Sequence, residues 1–279
     1  MKYVFFGTPE FADIILQKLI EADMAPVGVV CNPDRPAGRK KVITPPPTKL
    51  TAKEHGINVF QPETKDELLE LSTKISGDVD FAVVAAYAKI IPQGVIDNFK
   101  LGIIGVHPSL LPEYRGASPI QSVILAGEDK TGTTLFMIDA GVDSGPILTQ
   151  RKIDIEDKNY EQSLRDLALL SAKTLIEILP DFTKDSISPL PQDDAKATYT
   201  KMFEMADAKV QQNDLEKAMG GDVKKANEIE RKIRALNPEP GTFSIIDGKR
   251  TKLLRARIES NKLVLEEIQR EGRRPEVVD

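Results

Sequence analysis

Short, nearly uninterrupted apolar runs alternate with amphipathic stretches along the first two-thirds of this chain. Residues 2–6, 26–30, 79–86 and 102–107 read as strands covered on both faces, which lose the usual in–out alternation. Residues 133–138 and 147–155 read as two more. Between the first runs, residues 9–22 place Phe11, Ile14, Ile15 and Leu19 at helical spacing. Residues 48–55, 118–126 and 160–179 also read as helices, the first of these closed by Gly56. Strands and helices in alternation predict an α/β fold, a doubly wound and mostly parallel sheet. In such sheets, ligands bind beyond the carboxyl ends of the strands.

The pattern breaks over residues 185–194, which are rich in Ser, Pro and Asp and read as a linker. Beyond it, residues 206–236 are charged and helix-prone, with an interruption at Gly220-Gly221. Asn237-Pro238-Glu239-Pro240-Gly241 is a turn cluster. Residues 242–246, 251–258 and 262–268 look like short strands, with Asp247-Gly248 as a hairpin signal. The expected organisation is a large domain over 1–184, a linker over 185–198 and a small mixed domain over 199–279.

Composition narrows the class. With 279 residues, 41% of them apolar, the chain can bury a substantial core without cross-links. No run reaches the ~18 uncharged apolar residues of a membrane span. The N-terminal apolar run stops at Gly7 and Pro9, too soon for a secretory signal. A single cysteine, Cys31, excludes an intrachain disulfide and a cysteine metal cluster, and makes a reducing cytoplasm the expected compartment. The net charge of -5 is uneven: residues 1–195 carry 20 basic and 28 acidic side chains, the rest 18 and 15. An acidic body with a basic tail fits a polyanionic partner at one end, and equally fits plain surface variation.

Of the two histidines, His55 sits near a helix C-terminus, where histidine commonly caps. His107 instead ends a buried strand and precedes Pro108-Ser109-Leu110-Leu111-Pro112. That is where α/β enzymes place reactive groups, although a structural histidine fits there too. Asp139 and Asp143 lie in a turn-rich segment between two strands, and either suits an Asx-turn. A loop carboxylate folded over the strand end would orient His107 and stabilise its charged form. No dinucleotide fingerprint, P-loop, nucleophile elbow or metal spacing is present. Two basic stretches remain. Residues 33–41 carry Arg35, Arg39, Lys40 and Lys41 in a segment long for a strand-to-helix loop. Residues 249–257 carry Lys249, Arg250, Arg255 and Arg257, the last two sharing one face of a strand. Each suits a solvated surface or contact with a nucleic-acid backbone.

These residues together resemble the methionyl-tRNA formyltransferases, a folate-dependent formyltransferase family. The resemblance rests on Phe5-Phe6-Gly7-Thr8-Pro9-Glu10-Phe11-Ala12 and on Pro33-Asp34-Arg35-Pro36-Ala37-Gly38-Arg39-Lys40-Lys41. It continues through Val106-His107-Pro108-Ser109-Leu110-Leu111-Pro112-Glu113-Tyr114-Arg115-Gly116-Ala117-Ser118-Pro119 and Val142-Asp143-Ser144-Gly145 to Ile233-Arg234-Ala235-Leu236-Asn237-Pro238. It implies a Rossmann-like catalytic domain and a C-terminal OB-like β-barrel. It also implies 10-formyltetrahydrofolate as co-substrate, without a metal, and initiator methionyl-tRNA as the partner. His107 and Asp143 would be catalytic. Ser109, Leu110, Leu111, Pro112, Tyr87 and Ile90 would line the folate site. Arg35, Arg39, Lys40, Lys41, Lys249, Arg250 and Arg255 would face tRNA. A monomer without membrane attachment is expected.

Two positions depart from the family pattern. Gly105 stands where an asparagine amide helps bind the formyl oxygen, and removing one such donor costs on the order of 10²–10³ in rate at an analogous site. Substituting Asn at Gly105 is therefore expected to raise the rate if the rest of the site is intact, and to leave it unchanged if a different donor already occupies that place. Glu239 stands where an aromatic is common, in a C-terminal domain that reads as shortened. The competing readings are a sugar-amine or other small-amine N-formyltransferase, and a non-catalytic folate- or tRNA-binding relative.

Overall fold

The computed structural model describes residues 1–38 and 40–278. Its first strands are β1 (Tyr3–Gly7), β2 (Gly28–Val30), β3 (Arg35–Ala37), β4 (Val42–Thr44), β5 (Asn58–Phe60), β6 (Phe81–Ala85) and β7 (Ile103–His107). After them come β8 (Arg115–Gly116), β9 (Lys130–Met137) and β10 (Ile147–Asp154). The helices among them are α1 (Glu10–Glu21), α2 (Pro47–Glu54), α3 (Lys65–Ile75), α4 (Gln93–Ile96), α5 (Pro119–Ala126) and α6 (Tyr160–Phe182).

Local chemistry explains where these elements begin and end. Pro47 opens α2, where its missing N–H costs nothing, and Gly56 follows that helix at φ +68°. Thr64 caps α3 by accepting from Glu67 N at 3.1 Å, while the Glu67 carboxylate accepts from Glu63 N at 2.7 Å. The long basic loop expected after β2 is a β3–β4 hairpin, pairing Arg35 with Thr44 and Ala37 with Val42.

Seven strands form one sheet in the order β10-β9-β7-β6-β1-β2-β5. Those from β7 to β5 run parallel, and β9 is antiparallel to β7. The chain leaves β1 toward β2 and β5, then crosses back to lay β6 on the other side of β1. That reversal is the switch point at which doubly wound sheets bind ligands. One face carries Val4, Phe6, Ala82 and Ile103, packed with Leu68, Val95 and Phe99. The opposite face stacks Tyr3 on Phe81 at 5.1 Å between ring centroids, and Phe81 meets Phe182 of α6 edge-on.

The later elements are β11 (Tyr199–Thr200), β12 (Lys209–Val210), α7 (Gln212–Gly220), α8 (Val223–Leu236), β13 (Phe243–Ile246), β14 (Lys249–Glu259), β15 (Lys262–Arg270) and β16 (Glu276–Val277). Gly221 ends α7 at φ +108°, and Asp222 caps α8 by accepting from Lys225 N. The expected barrel is a five-stranded sheet in the order β12-β13-β14-β15-β16. Leu253, Leu263 and Ile268 from its long hairpin pack with Ile229 and Ile233 of α8. The chain divides into two compact units, residues 1–116, 132–153 and 164–199 against residues 117–131, 154–163 and 200–279. The segment containing α5 thus groups with the C-terminal residues.

Candidate active site

His107 is the last residue of β7 and only 5% exposed. Its Nε2 lies 2.8 Å from the carbonyl oxygen of Tyr114. A carbonyl only accepts, so Nε2 carries the proton and is committed to fixing the ring. The nitrogen left to hold or move a proton is Nδ1, which stands 3.5 Å from Asp143 Oδ2. An ionised carboxylate also only accepts, so this long contact becomes a hydrogen bond when Nδ1 too is protonated.

Asp143 reaches this place by an indirect route. Met137, the last residue of β9, pairs with Ile104, three residues before His107. The loop that follows must climb back along the sheet to bring Asp143 to the histidine. The two aspartates of this loop take different roles. Asp139 makes the Asx-turn, accepting from Gly141 N at 3.0 Å and from Ser144 Oγ at 2.9 Å. Asp143, in the left-handed region at φ +49°, turns its carboxylate to His107 and accepts from Gly116 N at 2.7 Å.

Residues without a role in the sequence reading hold this pair in place. Gln192 donates to the carbonyls of Asp143 (2.9 Å) and Gly145 (2.7 Å). Arg115, 1% exposed, donates through Nε and a terminal nitrogen to Gln192 Oε1, and also reaches Asp194 and the Tyr199 hydroxyl. Thr198 accepts from Tyr114 N through its hydroxyl and from Arg115 N through its carbonyl. The supposed linker is therefore bonded along residues 190–199 to the segment that carries the site. Thr134 and Gln150 brace the turn after His107. Thr134 Oγ1 donates to Ser109 O, and Gln150 donates to Leu111 O and to Thr134 Oγ1.

The residues expected to line the folate site differ in exposure. Ser109 is fully buried and donates its hydroxyl to Glu113 O, so it shapes the turn from within. Leu111, 3% exposed, is likewise a core residue, whereas Leu110 and Pro112 are half-buried. Tyr87 turns its ring into the core, edge-on to Phe6 at 5.4 Å, and burial pushes its hydroxyl up to about 12. Ile90, on the same loop, is 78% exposed. The register of Ala85 with Val106 starts that loop beside His107.

Among the expected phosphate contacts, Arg35, Lys40, Lys41 and Lys249 are exposed, and Arg39 lies outside the described residues. Arg255 pairs with Glu266 at 3.1 Å, and Arg257 with Glu259 and Glu266. The guanidinium of Arg250 lies 4.0 Å from the centroid of the Phe243 ring. All three arginines thus have partners within their own domain. The basic hairpin is anchored at its base, where Lys49 donates to both Asp34 oxygens (2.7 and 2.8 Å) and to Gln61. The bonds from Lys49 and Gln61 hold the Asp34 carboxyl below its ordinary range.

Among the described residues, no group of three His, Cys, Asp or Glu side chains could hold a metal ion. No described helix is long and apolar enough to cross a membrane.

The architecture is a doubly wound α/β sheet, and the His107–Asp143 pair at the end of β7 is its candidate proton-handling group. Residues 1–180 match the formyl transferase family model, and residues 223–273 match the model of the formyl transferase C-terminal domain. The chain belongs to the methionyl-tRNA formyltransferase family. It is 38% identical over 261 residues to the methionyl-tRNA formyltransferase of Chloroflexus aurantiacus, covering 93% of this chain and 81% of that one. The fold is shared with the methionyl-tRNA formyltransferase from Clostridium thermocellum, at TM-score 0.62 and 19% identity, over 97% of this chain and 98% of that one. It is also shared with an N-formyltransferase from Helicobacter canadensis in complex with folinic acid and dTDP-3-aminofucose. That likeness has TM-score 0.65 and 17% identity, over 93% and 88% of the two chains.

Proposed function

We propose that this chain transfers the formyl group of 10-formyltetrahydrofolate to the α-amino group of methionine esterified to initiator tRNA. The observation that carries the mechanism is the His107–Asp143 pair, fixed at the end of β7 with Nδ1 as its working nitrogen. An α-amino group has an unperturbed pKa of about 7.7–8.0, so a fraction is neutral and nucleophilic near pH 7. In the transfer, its nitrogen bonds to the formyl carbon, the bond from that carbon to the folate nitrogen breaks, and a proton passes from the first nitrogen to the second. His107 Nδ1, at the long 3.5 Å contact with Asp143, can share its proton with the oxygen that becomes negative on the way and relay the transferred one.

Support for a tRNA acceptor comes from the exposed cations Arg35, Lys40 and Lys41 on a hairpin whose base is tied down by Lys49 and Asp34. A small-amine acceptor without phosphate would make no use of them. The test is transfer of labelled formyl to charged initiator tRNA by the purified protein. Absence of transfer with the folate in excess would sink the reading. A tRNA affinity that does not fall with salt would argue for a small-amine acceptor instead.

A further inference from the structure

Gly105 and Phe136 face each other across the antiparallel pair β7–β9. Gly105 lies two residues before His107, so all three positions share one face of the sheet. Both partners are buried, Phe136 to 3% exposure. A Cβ on Gly105 would lie 2.4 Å from Phe136 Cε1 and 2.6 Å from Cζ. Ordinary carbon contacts are about 3.5–4.0 Å, so the ring already fills the volume that a side chain at 105 would need. Without the ring, a buried glycine here would leave a hole, costly if dry and open to water if polar. An aromatic across from a strand glycine is a known way to close such a hole. Glycine and ring thus form one physical unit that replaces a polar wall by an apolar one. The expected rate gain from Gly105→Asn therefore depends on room that the Phe136 ring now occupies.

We propose that Phe136 is a positioning residue for the transfer: it seals the space over Gly105 against side chain and water, leaving His107 as the side-chain donor that β7 offers the formyl oxygen. This rests on the formyl-transfer reading above. The experiment compares wild type, Gly105→Asn, Phe136→Ala and the double variant, each with and without His107→Ala. Melting temperatures are measured together with kcat and KM for 10-formyltetrahydrofolate and charged initiator tRNA. Gly105→Asn should melt below wild type, and the double variant above Gly105→Asn. The double variant should exceed Phe136→Ala about tenfold in kcat with KM for tRNA unchanged, because an amide then has room beside the oxygen. His107→Ala should cost about tenfold less in the double variant than in wild type. The proposal is overturned if Gly105→Asn matches wild type in melting and rate. It is equally overturned if the double variant is no faster than Phe136→Ala, or if His107→Ala costs the same in both backgrounds. A wild-type protein that transfers no formyl sinks the underlying reading and the positioning role with it. The melting temperatures then still tell that failure apart from a wrong Gly105–Phe136 pairing.

Discussion

Gln192 holds Asp143 by its backbone and leaves its carboxylate free. One amide nitrogen of Gln192 serves the carbonyls of Asp143 and Gly145, while its oxygen is gripped by the buried guanidinium of Arg115. The Asp143 carboxylate can then accept from Gly116 N and face His107. A non-glycine residue at φ +49° is held there by such bonds. Truncating Gln192 to Ala should let the loop drift, and a displacement of about 1 Å at a reacting group can cost on the order of 10²-fold. The expected result is a fall in kcat of ten- to a hundredfold with KM for tRNA little changed. In an Asp143→Ala background, Gln192→Ala should add almost nothing. Full additivity would show that the two residues act separately.

His107→Ala removes both the proton relay and the donor to the developing oxygen. Loss of either function alone is worth on the order of 10²–10⁴ in rate. Formyl transfer should fall at least that far, with the melting temperature close to wild type. A variant that keeps the wild-type rate would refute the mechanism.

Electrostatic contact with tRNA is expected at the β3–β4 hairpin and not at Arg255. Lys40→Ala and Lys41→Ala should each lower the slope of log affinity against log salt by up to about 1, as loss of one phosphate contact does. Arg255 is already neutralised by Glu266, so Arg255→Ala should leave the slope unchanged. Equal effects at all three positions would mean that the C-terminal sheet also meets phosphate.

The hairpin anchor should be sensitive to acid. Bonds from Lys49 and Gln61 lower the pKa of Asp34 in the folded chain. Stabilisation of this kind is present above the unfolded pKa, about 3.9, and is lost as pH falls through the lower folded value. Protection of the hairpin amides against hydrogen exchange, relative to their intrinsic rates, should therefore fall below about pH 4. Asp34→Asn should show faster exchange already at neutral pH and no further acid step. Acid sensitivity equal to wild type in that variant would place the titrating group elsewhere.

Stability of the C-terminal unit should depend on the seam between β14 and α8. Leu253 is fully buried there beside Ile229 and Ile233. Leu253→Ala should cost about 2–5 kcal/mol in chemical denaturation. A loss well below 1 kcal/mol would mean that the site collapses around the smaller side chain.

The basic strand β14 shows how far a local pattern reaches. Strict alternation from the buried Thr251 and Leu253 would carry Arg255 and Arg257 into the core. Register shifts between Leu253 and Ala256 turn them outward instead, toward Glu266. A bulge depends on what the partner strand presents, and the run of apolar and polar residues does not record it. Helix α3 is the opposite case. It escaped the sequence reading although Thr64-Lys65-Asp66-Glu67 is a legible capping box.

By itself the sequence determined the alternation of buried strands and helices, the place of His107 at a strand end, and the family through its ordered motifs. All of these rest on residues close together in the chain, where periodicity, caps and turn chemistry act. The family motifs already pointed to Asp143, and the tertiary structure added its contact with His107; only the tertiary structure decided that residues 190–199 clamp the loop carrying Asp143. It alone decided that Phe136 fills the space above Gly105. Each of these is a contact between residues distant in sequence: Gln192 lies 49 positions from Asp143 and 77 from Arg115. Such contacts are set by strand order and register, which local propensities do not encode.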